Sequence, residues 1–278
     1  MNASGLAQRL RLDGRIALVT GGGAGIGRAS ALALAVQGAG VAVLDVNGEA
    51  AEDTAQAMRA AGASAAGFSC DIAHAQTVKA TVAAVLERFG RLDIVVNGAG
   101  VASAPGMPFT NNSEQDWERT LAINLMGAVH VCNASRLALL NSDQGRIVNI
   151  SSITGVISAA YMPPYSVSKA ALISLSKVLA RDLAPQHVCV NAVCPGFIWT
   201  PMWESLGKKM RAHAQNDTDA PIRMDEARAV FDARIAQHVP MLRPQTLDDV
   251  ADIVVFLSSA AATNITGQVI NVDGGVTI

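Results

Sequence analysis

Tyr165 and Lys169 stand four residues apart in the run Tyr165-Ser166-Val167-Ser168-Lys169-Ala170-Ala171-Leu172, which reads as helix. Residues at i and i+4 share a helix face. A free tyrosine titrates near about 10, too high for proton transfer at neutral pH. A neighbouring ammonium favours the phenolate and lowers that value. The pair can therefore act as an acid/base unit. The same spacing also occurs in ordinary exposed Tyr–Lys pairs, so its meaning depends on its surroundings. Ser151 and Ser152 directly follow the strand-like run Ile147 to Ile150, Asn97 lies just past another such run, and Asn124 lies in the helix that follows it. Strand ends in a parallel sheet are where ligand sites form.

A second constellation lies upstream. The run Ile16 to Val19 leads into Thr20-Gly21-Gly22-Gly23-Ala24-Gly25-Ile26-Gly27, and an Ala/Leu-rich helix follows. A phosphate reaches backbone N–H groups at a helix N-terminus only where side chains leave room. Gly21, Gly25 and Gly27 supply that room, with the required strand before and helix after. Asp45 ends the next strand, 18 residues after Gly27. That is the position from which a carboxylate bonds an adenosine ribose and repels a 2′-phosphate. No Arg or Lys lies inside the glycine loop, so NAD(H) is expected over NADP(H). Asp71 is expected to close a third strand and lie beside the adenine; a helix N-cap is its other reading.

Elements that could position these residues alternate along the chain. Apolar runs at 16–19, 41–44, a third ending at 71, 94–96, 146–150, 188–193 and 268–272 predict strands. Helices are expected over 28–37, 50–61, 76–89, 117–139, 164–183 and 249–257, the last capped by Thr246 with Asp249 at capping-box spacing. Such alternation predicts an α/β fold, a doubly wound parallel sheet of about seven strands with helices on both faces. One domain, 1–278, is expected. Its rhythm breaks only between Thr200 and Gln245, where two helices are expected around the polar stretch Asn216 to Pro221. Ala227, Val230, Phe231, Arg234 and Ile235 recur there at helical spacing.

Composition excludes several classes. Half of the 278 residues are hydrophobic, 16% are charged and the net charge is -2. That argues against disorder and against nucleic-acid or anionic-membrane partners. The first residues lack an apolar run of signal-peptide length, and no segment reaches the roughly 20 apolar residues of a membrane span. Four cysteines, Cys70, Cys132, Cys189 and Cys194, are too sparse for a disulfide scaffold and suit a reducing, cytoplasmic setting. His187, Cys189 and Cys194 could offer three metal ligands, but buried thiols are the expected reading, with no metal.

Together these motifs resemble the short-chain dehydrogenase/reductase family, from Arg15 to the C-terminus. The resemblance rests on Thr20-Gly21 with Gly25-Ile26-Gly27, Asp71, Asn97-Gly98-Ala99-Gly100, Asn124, Ser152, Tyr165 with Lys169, and Pro195-Gly196. The family's serine lies thirteen residues before its tyrosine, which selects Ser152 over Ser151; Tyr161 lacks a lysine four residues on. The resemblance implies a Rossmann fold and an alcohol–ketone oxidoreductase, with Asn124, Ser152, Tyr165 and Lys169 catalytic. Tyr165 would exchange the proton on the substrate oxygen and Ser152 would fix that oxygen. Lys169 would lower the tyrosine's pKa and bond the nicotinamide ribose, and Asn124 would hold a relay water. The cofactor, NAD, would meet Gly21, Gly25, Ile26, Gly27, Asp45, Asp71, Ile72, Asn97, Gly98 and Ala99. It would also meet Tyr165, Lys169, Pro195, Gly196, Ile198 and Thr200. The family usually has a second asparagine where this chain has Gly98, which puts local rigidity in question.

The resemblance further makes 200–245 a substrate lid and the assembly a homotetramer, with the apolar tail Gln268 to Ile278 at an interface. Trp199, Met202, Trp203, Leu206 and Met210 suit a bulky apolar or cyclic alcohol, or else pack the lid on the core. An NADPH-dependent 3-oxoacyl reductase would share the four catalytic residues, but Asp45 argues against it. A non-catalytic NAD-binding regulator would be expected to have lost one of them.

Overall fold

The computed structural model describes residues 3–103, 106–214 and 223–278. Helix α1 (Ala3–Leu10) precedes β1 (Ile16–Thr20), α2 (Gly25–Val36), β2 (Gly40–Asp45), α3 (Gly48–Ala60), β3 (Ala65–Ser69), α4 (Ala75–Phe89) and β4 (Ile94–Asn97). There follow α5 (Glu114–Leu121), a π turn (Ala122–Met126), α6 (Gly127–Leu140), β5 (Arg146–Ile150), the short α7 (Thr154–Ile157) and α8 (Pro163–Leu183). The chain closes with β6 (Cys189–Pro195), α9 (Pro201–Ala214), α10 (Met224–His238), α11 (Leu247–Ser258) and β7 (Val269–Val272).

Seven strands form one sheet in the order β3-β2-β1-β4-β5-β6-β7. Every neighbouring pair is parallel. The strands carry apolar residues on both sides because both faces are covered. Ala17, Val19, Val41, Val43, Ile94 and Val96 pack into one core with residues of α2, α3 and α11. Their alternates Leu18, Ala42, Leu44 and Val95 join the other core, with residues of α4, α6 and α8. Strand order reverses between β1 and β4, so their C-terminal ends open a crevice at the topological switch point.

Several boundaries differ from the sequence expectation. The third strand ends at Ser69 and not at Asp71. Asp71 lies in the following loop, where its Oδ1 accepts from the Ala73 N–H at 3.0 Å. It is not the cap of α4, whose N-cap is His74. The capping box of α11 stands as expected: Asp249 accepts from the Thr246 N–H at 2.7 Å, and Thr246 Oγ1 accepts from the Asp249 N–H at 3.1 Å. The helix expected over 117–139 contains the π turn, which no local composition signals.

Glu114–Leu140 is long and apolar enough to cross a membrane by length and composition, yet it holds no unbroken run of 20 apolar residues. Its Val131, Cys132 and Leu139 are buried, in the core that also holds Val95 and Ile147 of the sheet. The two helices expected in the lid are α9 and α10; residues 215–222, which include all of Asn216 to Pro221, lie outside the described residues. Ala227, Phe231 and Ile235 are the buried face of α10. Phe231 meets Trp199 and Trp203 edge-on, at 5.2 and 5.1 Å between ring centroids.

Candidate active site

The loop after β1 is shaped by backbone contact. Gly21 and Gly25 adopt φ of +66° and +53°, where L side chains are strained. A Cβ on Gly27 would stand 2.1 Å from the Gly21 carbonyl oxygen, so only glycine lets α2 begin against that loop. At Gly25 a Cβ would meet nothing within 4 Å, so the helix start opens directly onto the crevice. Helix α2 has no side-chain cap and no acidic residue in its first turn. Its free N–H groups and positive end suit a phosphate. A dinucleotide's diphosphate fits this cradle. Asp45 stands at the far edge, where Oδ2 accepts from the Gly23 N–H and Oδ1 from the Asn47 N–H, both at 3.0 Å.

Tyr165 and Lys169 lie in the first two turns of α8. The Lys169 ammonium donates to the Ile150 carbonyl at 2.8 Å and lies 5.5 Å from the centre of the Tyr165 ring. Burial lowers Lys169 to about 8. Burial also pushes Tyr165 up to about 12, opposed in part by the Ser152 hydroxyl. The expected depression of Tyr165 by Lys169 is therefore not what this geometry gives. The ammonium serves the end of β5, and desolvation of the phenol prevails. Ser152 follows β5, and its Oγ accepts from the Thr154 N–H at 3.1 Å.

One cavity of about 760 Å³ runs from Asp45 past the glycine loop to Tyr165. It is lined by Gly21, Gly25, Ile26, Gly27, Asp45, Asp71, Ile72, Gly98 and Ala99. Ser152, Tyr165, Lys169, Pro195, Gly196, Ile198 and Thr200 line it as well. Two expected residues do not reach it. Asn97 turns into the sheet and donates to Asn149 Oδ1 at 2.7 Å, so it is no wall of the nucleotide site. Asn124, in the π turn, is spent on the loop after β4. Its Oδ1 accepts from the Val101 N–H at 2.8 Å, and its amide donates to the Val101 carbonyl at 2.9 Å and to Ser168 Oγ at 3.0 Å. Met202, Trp203 and Leu206 line the Tyr165 end, whereas Trp199 and Met210 do not. Trp199 instead packs on Phe231.

Residues 15–211 match the model of the short chain dehydrogenase family, and residues 217–277 match that of enoyl-(acyl carrier protein) reductase. A D-threitol dehydrogenase of Mycolicibacterium smegmatis is 37% identical, over 96% of this chain and 95% of its own length. A 3-oxoacyl-(acyl-carrier-protein) reductase of Thermotoga maritima is 30% identical, over 97% and 100%. The crystal structure of an NAD+-bound xylitol dehydrogenase superposes with a TM-score of 0.86 at 34% identity, covering 95% of this chain and 99% of that one. The chain belongs to the short-chain dehydrogenase/reductase family. It is an oxidoreductase of CH–OH groups that takes a nicotinamide cofactor.

Family membership directs attention to residues that spacing alone did not select. Thr20 Oγ1 accepts from the N–H groups of Gly98 and Ala99 at 3.1 and 3.2 Å, pinning the loop after β4 to the glycine loop. A Cβ on Gly98 would stand 2.8 Å from the Thr20 carbonyl oxygen. The missing asparagine side chain is thus exchanged for a closer backbone approach, and the local rigidity put in question is supplied by Thr20. Gly155 of α7 lies against the backbone of Lys169, where a Cβ would come within 2.7 Å. Ser151 Oγ donates to the Lys169 carbonyl at 2.8 Å. Each of these contacts is between segments distant in sequence, so no periodicity announces it. All four cysteines are buried free thiols.

Proposed function

We propose that the protein is an NAD(H)-dependent dehydrogenase interconverting a secondary alcohol and a ketone, with a bulky apolar or cyclic substrate. The observation that carries this reading is that Ser152, Tyr165 and Lys169 line the same cavity as the phosphate cradle, with Asp45 at its opposite end. Asp45 supports NAD(H), because a 2′-phosphate would meet its carboxylate. The NAD+-bound neighbour agrees with that choice. Ile153, Met162, Phe197, Met202, Trp203 and Leu206 make the substrate end apolar. The dehydrogenases of threitol and xylitol among the relatives take acyclic polyols, so they support the alcohol–ketone reaction and not the apolar or cyclic character of its substrate.

When bound, the nicotinamide supplies the hydride acceptor or donor, and the chain supplies geometry and proton transfer. In this proposal Ser152 orients the substrate oxygen and Tyr165 exchanges its proton. Lys169 bonds the nicotinamide ribose and stabilises the phenolate in the closed complex. Asn124 acts on the loop after β4, at Val101, and not on substrate. Residues 1–278 act as one domain, and α9 with α10 serve as the lid within 200–245. A homotetramer fits the exposed Ile278 at the end of the tail.

A 3-oxoacyl reductase using NADPH remains the second reading, favoured by the Thermotoga maritima relative. A screen of NAD+ and NADP+ reduction across secondary alcohols, including cyclic diols, steroids and aryl carbinols, separates the two. The proposal expects turnover with NAD+ at least tenfold above NADP+, since about 1.4 kcal/mol of repulsion suffices. Preference for NADPH with acyl thioesters would replace it. NADH binding without turnover of any alcohol would leave a non-catalytic regulator.

A further inference from the structure

Beside the main cavity lies a second one of about 620 Å³, lined by Ser103, Ser113, Gln115, Asp116, Arg119 and Ser205 among others. The two share Gly100, Val101, Arg119 and Met202, so they meet along one wall. The main chamber is apolar near Tyr165, and the annex is polar. Arg119, exposed on α5, borders both. Among the described residues it makes no ion pair and no side-chain hydrogen bond. The carboxylate facing it, Asp116, is committed to helix capping: it accepts from the Ser113 N–H at 3.0 Å and from Ser113 Oγ at 2.6 Å. Lys209 of α9 also lies close enough to Asp116 to favour its ionised form, so two cations, Arg119 and Lys209, stand beside this one carboxylate. Across the annex, Ser205 and Met202 of α9 bring the lid over the loop that follows β4.

We infer that the annex is an anion subsite in which Arg119 holds a phosphate or carboxylate at the far end of a substrate whose alcohol carbon lies at Tyr165. This rests on the proposed dehydrogenase reading and adds the class of substrate: an apolar or cyclic alcohol with an anionic tail. A guanidinium offers paired donors to such a group. Because Arg119 is exposed, the gain is modest and salt-sensitive, about fivefold in affinity at low ionic strength.

Calorimetry on the full chain tests this with n-hexyl phosphate and n-hexanol, each with and without NADH. NADH competes for the phosphate cradle of α2, so phosphate binding that survives its presence reports another site. The wild type is expected to favour hexyl phosphate over hexanol by about fivefold with NADH present. Arg119→Met should abolish that ratio, Arg119→Lys should retain most of it, and 0.5 M salt should shrink it roughly severalfold. Equal ratios in wild type and Arg119→Met would overturn the subsite, as would a preference lost whenever NADH is added. The ratio does not depend on turnover. If hexyl phosphate binds as expected while no alcohol is oxidised, the reaction reading fails and the subsite stands.

Discussion

The side-chain amide of Asn124 donates to Ser168 Oγ at 3.0 Å, and Ser168 Oγ in turn donates to the Tyr165 carbonyl at 2.7 Å. This chain ties the π turn and the loop after β4 to the first two turns of α8, which carry Tyr165 and Lys169. Ser168 is fully buried. Replacing it with alanine leaves one of the two Asn124 amide N–H groups without a partner, the other still donating to the Val101 carbonyl, at a cost of about 1 kcal/mol. Ser168→Ala should therefore lower the unfolding midpoint by a few degrees. It should also lower kcat on the order of tenfold through misplacement of Tyr165, with NADH affinity nearly unchanged. Wild-type kcat in a destabilised Ser168→Ala protein would show that the link serves stability alone.

Removal of the proposed proton carrier gives a sharper result. Tyr165→Phe should abolish turnover and leave NADH binding intact, as read by NADH fluorescence. The pH profile follows from the two displaced groups. Lys169 is lowered to about 8 and Tyr165 raised to about 12. Lys169 therefore loses its charge just above neutrality, while Tyr165 gives up its proton only toward 12. The phenolate that accepts a proton in alcohol oxidation grows more populated as pH rises toward that value. So kcat/KM for oxidation should rise with pH above 7, while ketone reduction, which uses the Lys169 cation, should fall as pH passes 8. Stability has its own sign. The folded chain keeps the Tyr165 proton between pH 10 and 12, where the unfolded chain loses it, so folding free energy declines as pH rises through that window. Tyr165→Phe should lack this decline. A flat oxidation profile from pH 7 to pH 10 would contradict the pair's proposed role.

Asp45 combines a charge with a structural duty. Its carboxylate accepts from the N–H groups of Gly23 and Asn47. Alanine would remove both functions, whereas Asp45→Asn keeps one of the two acceptors and removes the charge, its NH2 replacing the other acceptor. This variant should raise kcat/KM with NADP+ by about tenfold relative to NAD+, the equivalent of about 1.4 kcal/mol of repulsion relieved. Unfolding temperature should fall by a few degrees at most, since one of the two loop N–H groups loses its acceptor. An unchanged cofactor ratio would mean that another group sets the preference.

The sheet and the glycine loop are legible in the chain because they rest on local rules. Val41 to Leu44 is apolar throughout since both of its faces are covered, and Gly27 is glycine since its Cβ position is occupied by the Gly21 carbonyl oxygen. Tyr165 and Lys169 are legible through helical spacing. What escaped is tertiary in origin. Asn124 and Asn97 carry the right side chains at the right distances, yet one holds Val101 and the other holds Asn149, and neither reaches the cavity. The direction of the Tyr165 shift also escaped, because desolvation depends on surrounding bulk and not on the lysine four residues away. Met202 and Trp203 line the cavity while Trp199 does not, a division set by the packing of α9 on α10.

That packing makes Phe231 the pivot of the last prediction. It is fully buried, with Trp199 and Trp203 edge-on around it. Trp203 also stacks obliquely on Phe197 at 5.2 Å, just beyond Gly196. Truncation by Phe231→Ala removes a fully buried ring, at a cost of about 3–5 kcal/mol where the site cannot collapse. The loss falls on α9 and α10 and not on the sheet, so it should loosen the lid before it unfolds the chain. Tryptophan fluorescence from Trp199 and Trp203 should then change at lower urea than the helical circular dichroism signal. KM for the alcohol should rise about tenfold or more, while NADH affinity, governed by α2 and Asp45, should move little. Coincident transitions by both probes, with NADH affinity falling in step, would show that α9 and α10 unfold as one unit with the sheet and that this aromatic cluster does not hold them separately.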